Sequence, residues 1–508
     1  MFDLGSRWWR FFLLISVGVC AASGLIYELA LLTLSTSLNG GGVVETSLIV
    51  AGYVAALGVG ALCAKPLLRW PGLSFLIVES VLGLIGGVSA LVLYIVFATL
   101  GQSVVVLVIA TFLIGALVGM ELPLLMTLIQ QGKLADARSV GSLLATLNFA
   151  DYLGALIGGL LWPFVLLPSL GMMRGTLAAG MINLVAALFI AVVLLRSSLP
   201  ARQLWSAVCA LVVALVLLVV LLVRSDGIVA TARAALYRDP VIYAHQSDYQ
   251  DIVITRRGKD RRLYLNGGLQ YSSRDEYRYT ESLVYPALTP DTKNVLVIGG
   301  GDGLAARELL RFGATVTQVE LDPAVVEVAN TVLIDDNGGA LMDPRVTVIN
   351  DDAFTWLRAG GTGASYDAII IDLPDPDNPT LARLYSEEFY ALTLGVLNPG
   401  GRMVVQASSA YTTPDVFWRV RSTVLAAGCS NAIPYHTHVP TFGDWGFVSC
   451  ASTLDMPDVS GLRYLTPEVL AASAVFGLDN GPRDLEPSTL DRPFIVEDLR
   501  RGYRQAGE

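Results

Sequence analysis

Seven apolar runs crowd the first 224 residues, and they constrain this chain more than any other feature. They lie near residues 11–35, 46–68, 73–99, 104–130, 140–167, 175–195 and 204–223. A helix needs roughly 20 apolar residues to cross a hydrocarbon core of about 30 Å, and each run can do so. Only 15% of all residues are charged and the mean hydropathy is +0.58, too apolar for an ordinary soluble protein. The first run is too long, and too polar near its end, for a removable signal peptide. Residues 1–224 therefore predict an all-α transmembrane bundle of about seven spans, multi-pass in the lipid bilayer of the cell (inner) membrane.

Charge divides the chain at the same place. Residues 1–224 hold ten Lys/Arg and seven Asp/Glu, leaving 24 and 37 for residues 225–508, a net near −13. An acidic soluble part argues against nucleic acid, whose phosphates need a basic footprint. It suits a cationic substrate, although most acidic surfaces are merely solvated. Cys20, Cys63 and Cys209 lie in the runs and Cys429 and Cys450 beyond them, at no spacing that suggests zinc or a disulfide framework. His245, His436 and His438 form no metal constellation.

The runs carry Glu28, Glu79, Glu121 and Asp151, with Asn148 nearby. Acids inside a membrane are costly and are functional candidates by default. Two readings stand: protonated carboxyls hydrogen-bonding between helices, or a path for a polyamine cation. The small-residue runs "GLIGG" and "GALIGG" predict close helix packing. Arg7 and Arg10, with Lys65, Arg69, Lys133, Arg138, Arg196 and Arg202 in the loops after the second, fourth and sixth runs, put the N-terminus in the cytoplasm by the positive-inside rule. Seven crossings then put the remainder of the chain outside, where a cytoplasmic substrate would not meet it. Either one run does not cross or the substrates are met outside.

After Arg224 the pattern changes. Residues 225–290 read as a small β-hairpin unit: "SDYQDIVITRR" and "RRLYLNGGLQYSS" alternate, and Asn266-Gly267-Gly268 marks a turn. Over residues 291–508, strands are expected at 294–298, 315–320, 345–349, 366–371 and 402–406. Helices are expected at 303–312, 323–333, 352–359, 384–396 and 414–427. This alternation predicts a Rossmann-like α/β domain of methyltransferase type, a mostly parallel sheet that binds ligands beyond its C-terminal strand ends.

Those strand ends carry acids: Asp302, Glu320, Asp351, Asp352, Asp372 and Asp375. Asp302 and Asp352 also fit as helix caps, but six acids on one rim repel one another. "VLVIGGGDGLAARE" (295–308) looks like a nucleotide loop, yet Asp302 would reject a phosphate. Glu320 can accept both hydroxyls of a ribose, and Asp352 can accept from an adenine amino group. An adenosine with a positive 5′ substituent, an S-adenosyl sulfonium, satisfies all three. "IIIDLPDPDNP" (369–379) then suggests an amine acceptor. Its ammonium must lose a proton before nitrogen attacks carbon, and Asp372 and Asp375 can take that proton and anchor charge.

Over roughly 240–450 the chain resembles the spermidine synthase, or polyamine aminopropyltransferase, family. The segments are "SDYQDIVI", "LNGGLQYSSRDEYRYTE", "VLVIGGGDG", "VELD", "DPRVTVINDDAFTWL", "YDAIIIDLPDP", "LYSEEFY", "GGRMVVQASS" and "VPTFGDWGF". The resemblance implies transfer of the aminopropyl group of decarboxylated S-adenosylmethionine, a co-substrate, to putrescine or a related amine. Spermidine and methylthioadenosine would be the products, with no metal or cofactor. It gives Asp372 the role of proton acceptor and Tyr279 and Asp375 that of acceptor-amine contacts. Asp302 would meet the aminopropyl ammonium, Gln250 and Gln270 the donor side, Glu320 the ribose, Asp352 and Ala353 the adenine, and Pro379 the loop beside the nucleoside. The chain departs from the family at Leu304, Thr280, Asn378 and Phe442, where the family commonly has Gly, His, Gly and Tyr; Leu304 would narrow the donor pocket. A polyamine transporter or sensor with a non-catalytic binding domain, an aminopropyltransferase for another amine, and a small-molecule methyltransferase are the competing readings. A homo-oligomer is compatible with all of them.

Overall fold

A computed structural model of the chain describes residues 7–39, 43–100, 104–131, 140–196 and 198–506. Lys133 and Arg138 lie outside the described residues. Two compact units result, Met1–Arg238 and Asp239–Glu508.

The first unit is helical: α1 (Arg7–Asn39), α2 (Val43–Cys63), α3 (Pro71–Leu100), α4 (Val104–Gln131), α5 (Val140–Leu161), α6 (Leu167–Phe189) and α7 (Ala201–Leu236). Among the described residues, six helical stretches are long and apolar enough to cross a membrane, and one of them, Leu144–Leu194, is 51 residues long. Drawn straight it would extend about 75 Å at roughly 1.5 Å per residue, far more than one crossing needs. It is a hairpin instead. Gly171 has φ 72 and ψ 176, and a methyl group placed on Gly175 would lie 3.0 Å from the Trp162 ring. An unbroken helix would hold those residues about 20 Å apart. The seven expected runs thus correspond to seven helices.

The small residues act as expected. A Cβ on Gly154 would come within 2.0 Å of the Gly18 carbonyl oxygen and one on Gly158 within 2.4 Å of that of Ala22. Spaced four apart, the two glycines lie on one face of α5 and let its backbone rest on α1. Glu79 is fully buried and accepts from Asn183 Nδ2 at 2.8 Å, a bond joining α3 to α6 of the kind the packing reading calls for.

The boundary expected at residue 224 falls inside α7, which runs on to Leu236. The apolar run stops near 223, but "ATARAAL" (230–236) consists mostly of strong helix formers, so helix outlasts hydrophobicity.

The second unit opens with an antiparallel sheet, β1 (Val241–Gln246), β2 (Asp251–Arg257), β3 (Asp260–Leu265) and β4 (Gly268–Ser272), in sequential order. Asn266 (φ 49) and Gly267 (φ 82) both take the left-handed conformation, as a two-residue hairpin turn requires. Ile252, Ile254, Leu263 and Tyr271 project from one face and pack on Leu304, Val325, Val328 and Leu333 of the following layer.

That layer consists of helices on a seven-stranded sheet: β5 (Asn294–Gly299), β6 (Thr315–Glu320), β7 (Val346–Asn350), β8 (Tyr366–Asp372), β9 (Leu397–Gln406), β10 (Ala432–Val439) and β11 (Gly443–Cys450). Its order is β10-β11-β9-β8-β5-β6-β7. Strands β5 to β9 pair in parallel, while β10 and β11 run antiparallel. The strand order reverses between β5 and β8, and in such sheets the crevice at that point binds ligands. The expected strands and helices are all present. The β10–β11 hairpin was not among them, and it overturns one expectation. Cys429 and Cys450 form a disulfide, because the hairpin sets Ala432 opposite Cys450. Spacing along the chain carries no trace of that pairing.

Candidate active site

The site grows from the glycine turn after β5. Gly299 (φ 79), Gly300 (φ 62) and Gly303 (φ 80) take left-handed conformations that other residues rarely adopt. A Cβ on Gly299 would lie 2.1 Å from the Asp372 carbonyl oxygen, and one on Gly301 2.7 Å from Glu320 Oε2. The bare turn therefore lets the ends of β5, β6 and β8 converge, and with them their carboxylates.

Asp372 ends β8. Its Oδ1 accepts a 2.6 Å hydrogen bond from the Tyr279 hydroxyl, carried on the helix Glu276–Val284. Asp302, on the turn, accepts from the Leu304 N–H at 2.9 Å, one residue ahead of the N-cap position, which Gly303 occupies. Each carboxylate keeps some solvent access, yet both are held protonated well above the usual range. Burial, opposed by the Tyr279 bond, brings Asp372 to about 6. Burial and then the charge of Asp372 bring Asp302 to about 7, against the Leu304 N–H. A cation bound between them would relieve both effects.

Glu320 ends β6 and is likewise pushed up to about 7 by burial, against a backbone bond from Asp322; its Oε1 accepts from the Asp322 N–H at 2.9 Å. Gln250 reaches the same rim, its Nε2 donating to Asp322 Oδ2 at 3.0 Å. The Gln270 amide donates to the Gly268 carbonyl at 3.2 Å within its own hairpin. Asp352 caps the helix Ala353–Arg358 through the Thr355 N–H at 2.9 Å and pairs with Arg383. Ala353 is buried behind it.

Asp375 lies three residues past Asp372. Its Oδ2 accepts from Tyr503 at 2.8 Å and from Ser408 at 3.2 Å, while Oδ1 is buried without a hydrogen bond of good geometry. Burial lifts its pKa to about 6, with the Tyr503 and Ser408 bonds and the nearby Gln406 amide opposing. Pro379 opens the short helix Pro379–Ala382, capped by Asn378 Oδ1 accepting from the Leu381 N–H at 3.0 Å.

Tyr385, Gln406, Trp445 and Asp275 escaped the sequence reading, which names Phe442. The Tyr385 hydroxyl donates to the Pro374 carbonyl at 2.9 Å and Gln406 Nε2 to that of Leu373 at 2.6 Å; together they clamp the loop between the two aspartates. Phe442 and Trp445 stand 6.2 and 6.4 Å from the Tyr279 ring, centroid to centroid. Asp275 holds the "VPTF" loop near them, accepting from the Thr441 N–H at 2.9 Å. The quoted motifs contain most of these residues, but nothing local marks which side chain turns inward.

A spermine/spermidine synthase domain matches residues 276–459. "Polyamine aminopropyltransferase" of Corynebacterium efficiens is 72% identical over 99% of this chain and 98% of that relative. The chain belongs to the polyamine aminopropyltransferase family. The protein of that name from Mycobacterium tuberculosis is 57% identical over 97% of each chain. "Polyamine aminopropyltransferase 1" of Streptomyces coelicolor is 43% identical over 99% of this chain and 96% of its own. A crystal structure of spermidine synthase in complex with the transition-state analogue AdoDATO is 25% identical, with a TM-score of 0.43, over 51% of this chain and 88% of that one.

Two departures from the family pattern find structural explanations. Leu304 was expected to narrow the donor pocket, but it is 4% exposed and packs on the hairpin sheet beside Tyr271. The hydroxyl of Thr280 bonds back to the Glu276 carbonyl at 3.0 Å and so serves its own helix.

Proposed function

We propose that this aminopropyltransferase moves the aminopropyl group of decarboxylated S-adenosylmethionine to putrescine, giving spermidine and methylthioadenosine. The observation that carries the reading is the Tyr279–Asp372 hydrogen bond with Asp302 in electrostatic reach. Together they form a carboxylate site poised near neutrality and suited to positive charge.

In this reading Asp302 receives the donor's aminopropyl ammonium and Glu320 the ribose hydroxyls. The adenine lies by Asp352 and Ala353, with Pro379 alongside, and Gln250 steadies the donor side through Asp322. Gln270 joins it on the donor side. Tyr279 and Asp375 hold the acceptor amine. The acceptor arrives as an ammonium and gives its proton to Asp372, whose pKa of about 6 leaves it ionised at neutral pH. The freed lone pair attacks the aminopropyl carbon bonded to sulfur. As the C–N bond forms, the C–S bond breaks and its electrons go to sulfur, so methylthioadenosine departs as a neutral thioether. The positive charge moves to the new amine, and Asp372 returns its proton to water.

The N-terminal unit crosses the cell membrane in this proposal. Its support is the set of long apolar helices and their exposed apolar faces. On α7, Leu204, Leu211 and Leu218 form a buried stripe while Trp205, Val213 and Val223 are more than 60% exposed, and such an outward face is matched by lipid.

The test of activity is incubation of the full chain with either sulfonium donor and a panel of amines, with products identified by mass. Spermidine from the decarboxylated donor and putrescine supports the reading. Methylated amines, or no product, overturn it.

A further inference from the structure

The C-terminal helix Phe494–Ala506 has no part in the reading so far, and the matched family domain ends at residue 459. This helix nonetheless delivers a side chain to the site. Ile495 and Leu499 are buried and anchor it in the main core beside Phe417 and Val420. Asp498 pairs with the buried Arg419. Gly502 lies directly on the loop after β9: a Cβ there would meet Thr413 Cγ2 at 2.8 Å and the Thr412 carbonyl oxygen at 3.0 Å. That contact seats the next residue, Tyr503, whose hydroxyl donates to Asp375 Oδ2 at 2.8 Å.

The same loop supplies the second donor to Asp375. Ser408 has φ 59, a conformation that costs a non-glycine residue energy and persists only where the surroundings enforce it. Its hydroxyl is 2.9 Å from that of Thr413 and donates to the same Asp375 oxygen. Two hydroxyls, from the loop and from the helix lying on it, thus tie down one oxygen of the carboxylate. The other, Oδ1, is buried without a hydrogen bond of good geometry, and the Gln406 amide, which also lowers the carboxyl pKa, already donates to the Leu373 carbonyl. A buried carboxylate oxygen left without a donor is expensive, and an ammonium of the acceptor amine would satisfy it. Tyr503 is 51% exposed while its hydroxyl reaches the buried carboxylate, so its side chain lies at the boundary between Asp375 and solvent.

We propose that Tyr503 is a positioning residue for the acceptor amine: it fixes Asp375 with one oxygen free for the amine, and its ring forms the outer wall that limits acceptor length. The inference rests on the reading of Asp375 as an acceptor contact.

The test is steady-state kinetics of the full chain in detergent with diamines of three, four and five carbons, comparing Tyr503→Phe, Tyr503→Ala and Asp375→Asn. Tyr503→Phe loses one hydrogen bond to a charged group, so acceptor KM should rise roughly tenfold, with donor KM unmoved and kcat changed less than KM. Tyr503→Ala also removes the wall and should shift the ratio of kcat/KM values toward the five-carbon diamine. If Asp375→Asn raises acceptor KM while both Tyr503 variants keep wild-type acceptor KM and length preference, Tyr503 has no such role and the reading of Asp375 stands. If Asp375→Asn also leaves acceptor KM unchanged, the inference and the acceptor role of Asp375 fall together. A rise in donor KM equal to that in acceptor KM would mean that Tyr503 merely supports the fold.

Discussion

Tyr279 and Asp372 are 93 residues apart in the chain and 2.6 Å apart in the site, the phenol donating to the carboxylate. That bond favours the ionised aspartate against the burial that opposes it. Removing it by Tyr279→Phe should raise the pKa of Asp372, and the acidic limb of the pH–rate profile should move to higher pH. Asp372→Asn should cut turnover by about 10²–10⁴-fold, the usual contribution of a general base, with far less effect on donor binding. A profile unmoved by the first variant, or near-normal turnover in the second, would take Asp372 out of the proton-transfer role.

Asp302 offers a comparison of two ligands that differ in one charge. Decarboxylated S-adenosylmethionine carries the aminopropyl ammonium and methylthioadenosine does not. Asp302→Asn should weaken the donor by about 1.5–3 kcal/mol, the worth of a charge-assisted hydrogen bond, and the product much less. Calorimetric titration of both ligands decides it. Equal losses would reduce Asp302 to the hydrogen bond it accepts from the Leu304 N–H.

The raised carboxyl pKa values set a pH dependence of stability. Asp302 and Glu320 stand at about 7 and Asp372 and Asp375 at about 6, against roughly 4 for unfolded carboxyls. Between those limits the folded state binds more protons than the unfolded one, so stability falls as pH rises from about 4 to about 7. A bound cation reverses that loss. The thermal shift produced by a saturating diamine should therefore be larger at pH 7.5 than at pH 5.5, read by scanning fluorimetry of the full chain. A shift independent of pH would mean that these acids do not bind the amine.

The chain divides into its two compact units between residues 238 and 239, and every proposed site residue lies in the second. Residues 239–508 alone should fold and form product in detergent-free buffer at a rate per folded molecule near that of the full chain. Starting at 225 would carry the last turns of α7 and invite aggregation. Donor binding without product, where the full chain makes product, would show that the helical unit contributes to catalysis.

Sequence alone determined the elements whose signals are local. Apolar runs located seven helices, strand–helix alternation located the parallel sheet, and the order of acids after the strands located the rim. These were legible because hydrophobic period, turn chemistry and strand ends are written within a few adjacent residues. The tertiary structure decided what depends on residues far apart. The Cys429–Cys450 bond needed the antiparallel β10–β11 hairpin. Leu304, read as part of a ligand pocket, became core because the hairpin sheet lies over it. Gln270 bonds its own turn, a partner that no local signal marks. Tyr503 reached Asp375, 128 positions earlier in the chain, because Gly502 lets a helix lie against the loop that also holds Ser408. A side chain's direction and its partner are set by packing between elements, and no stretch of sequence contains both halves of such a contact.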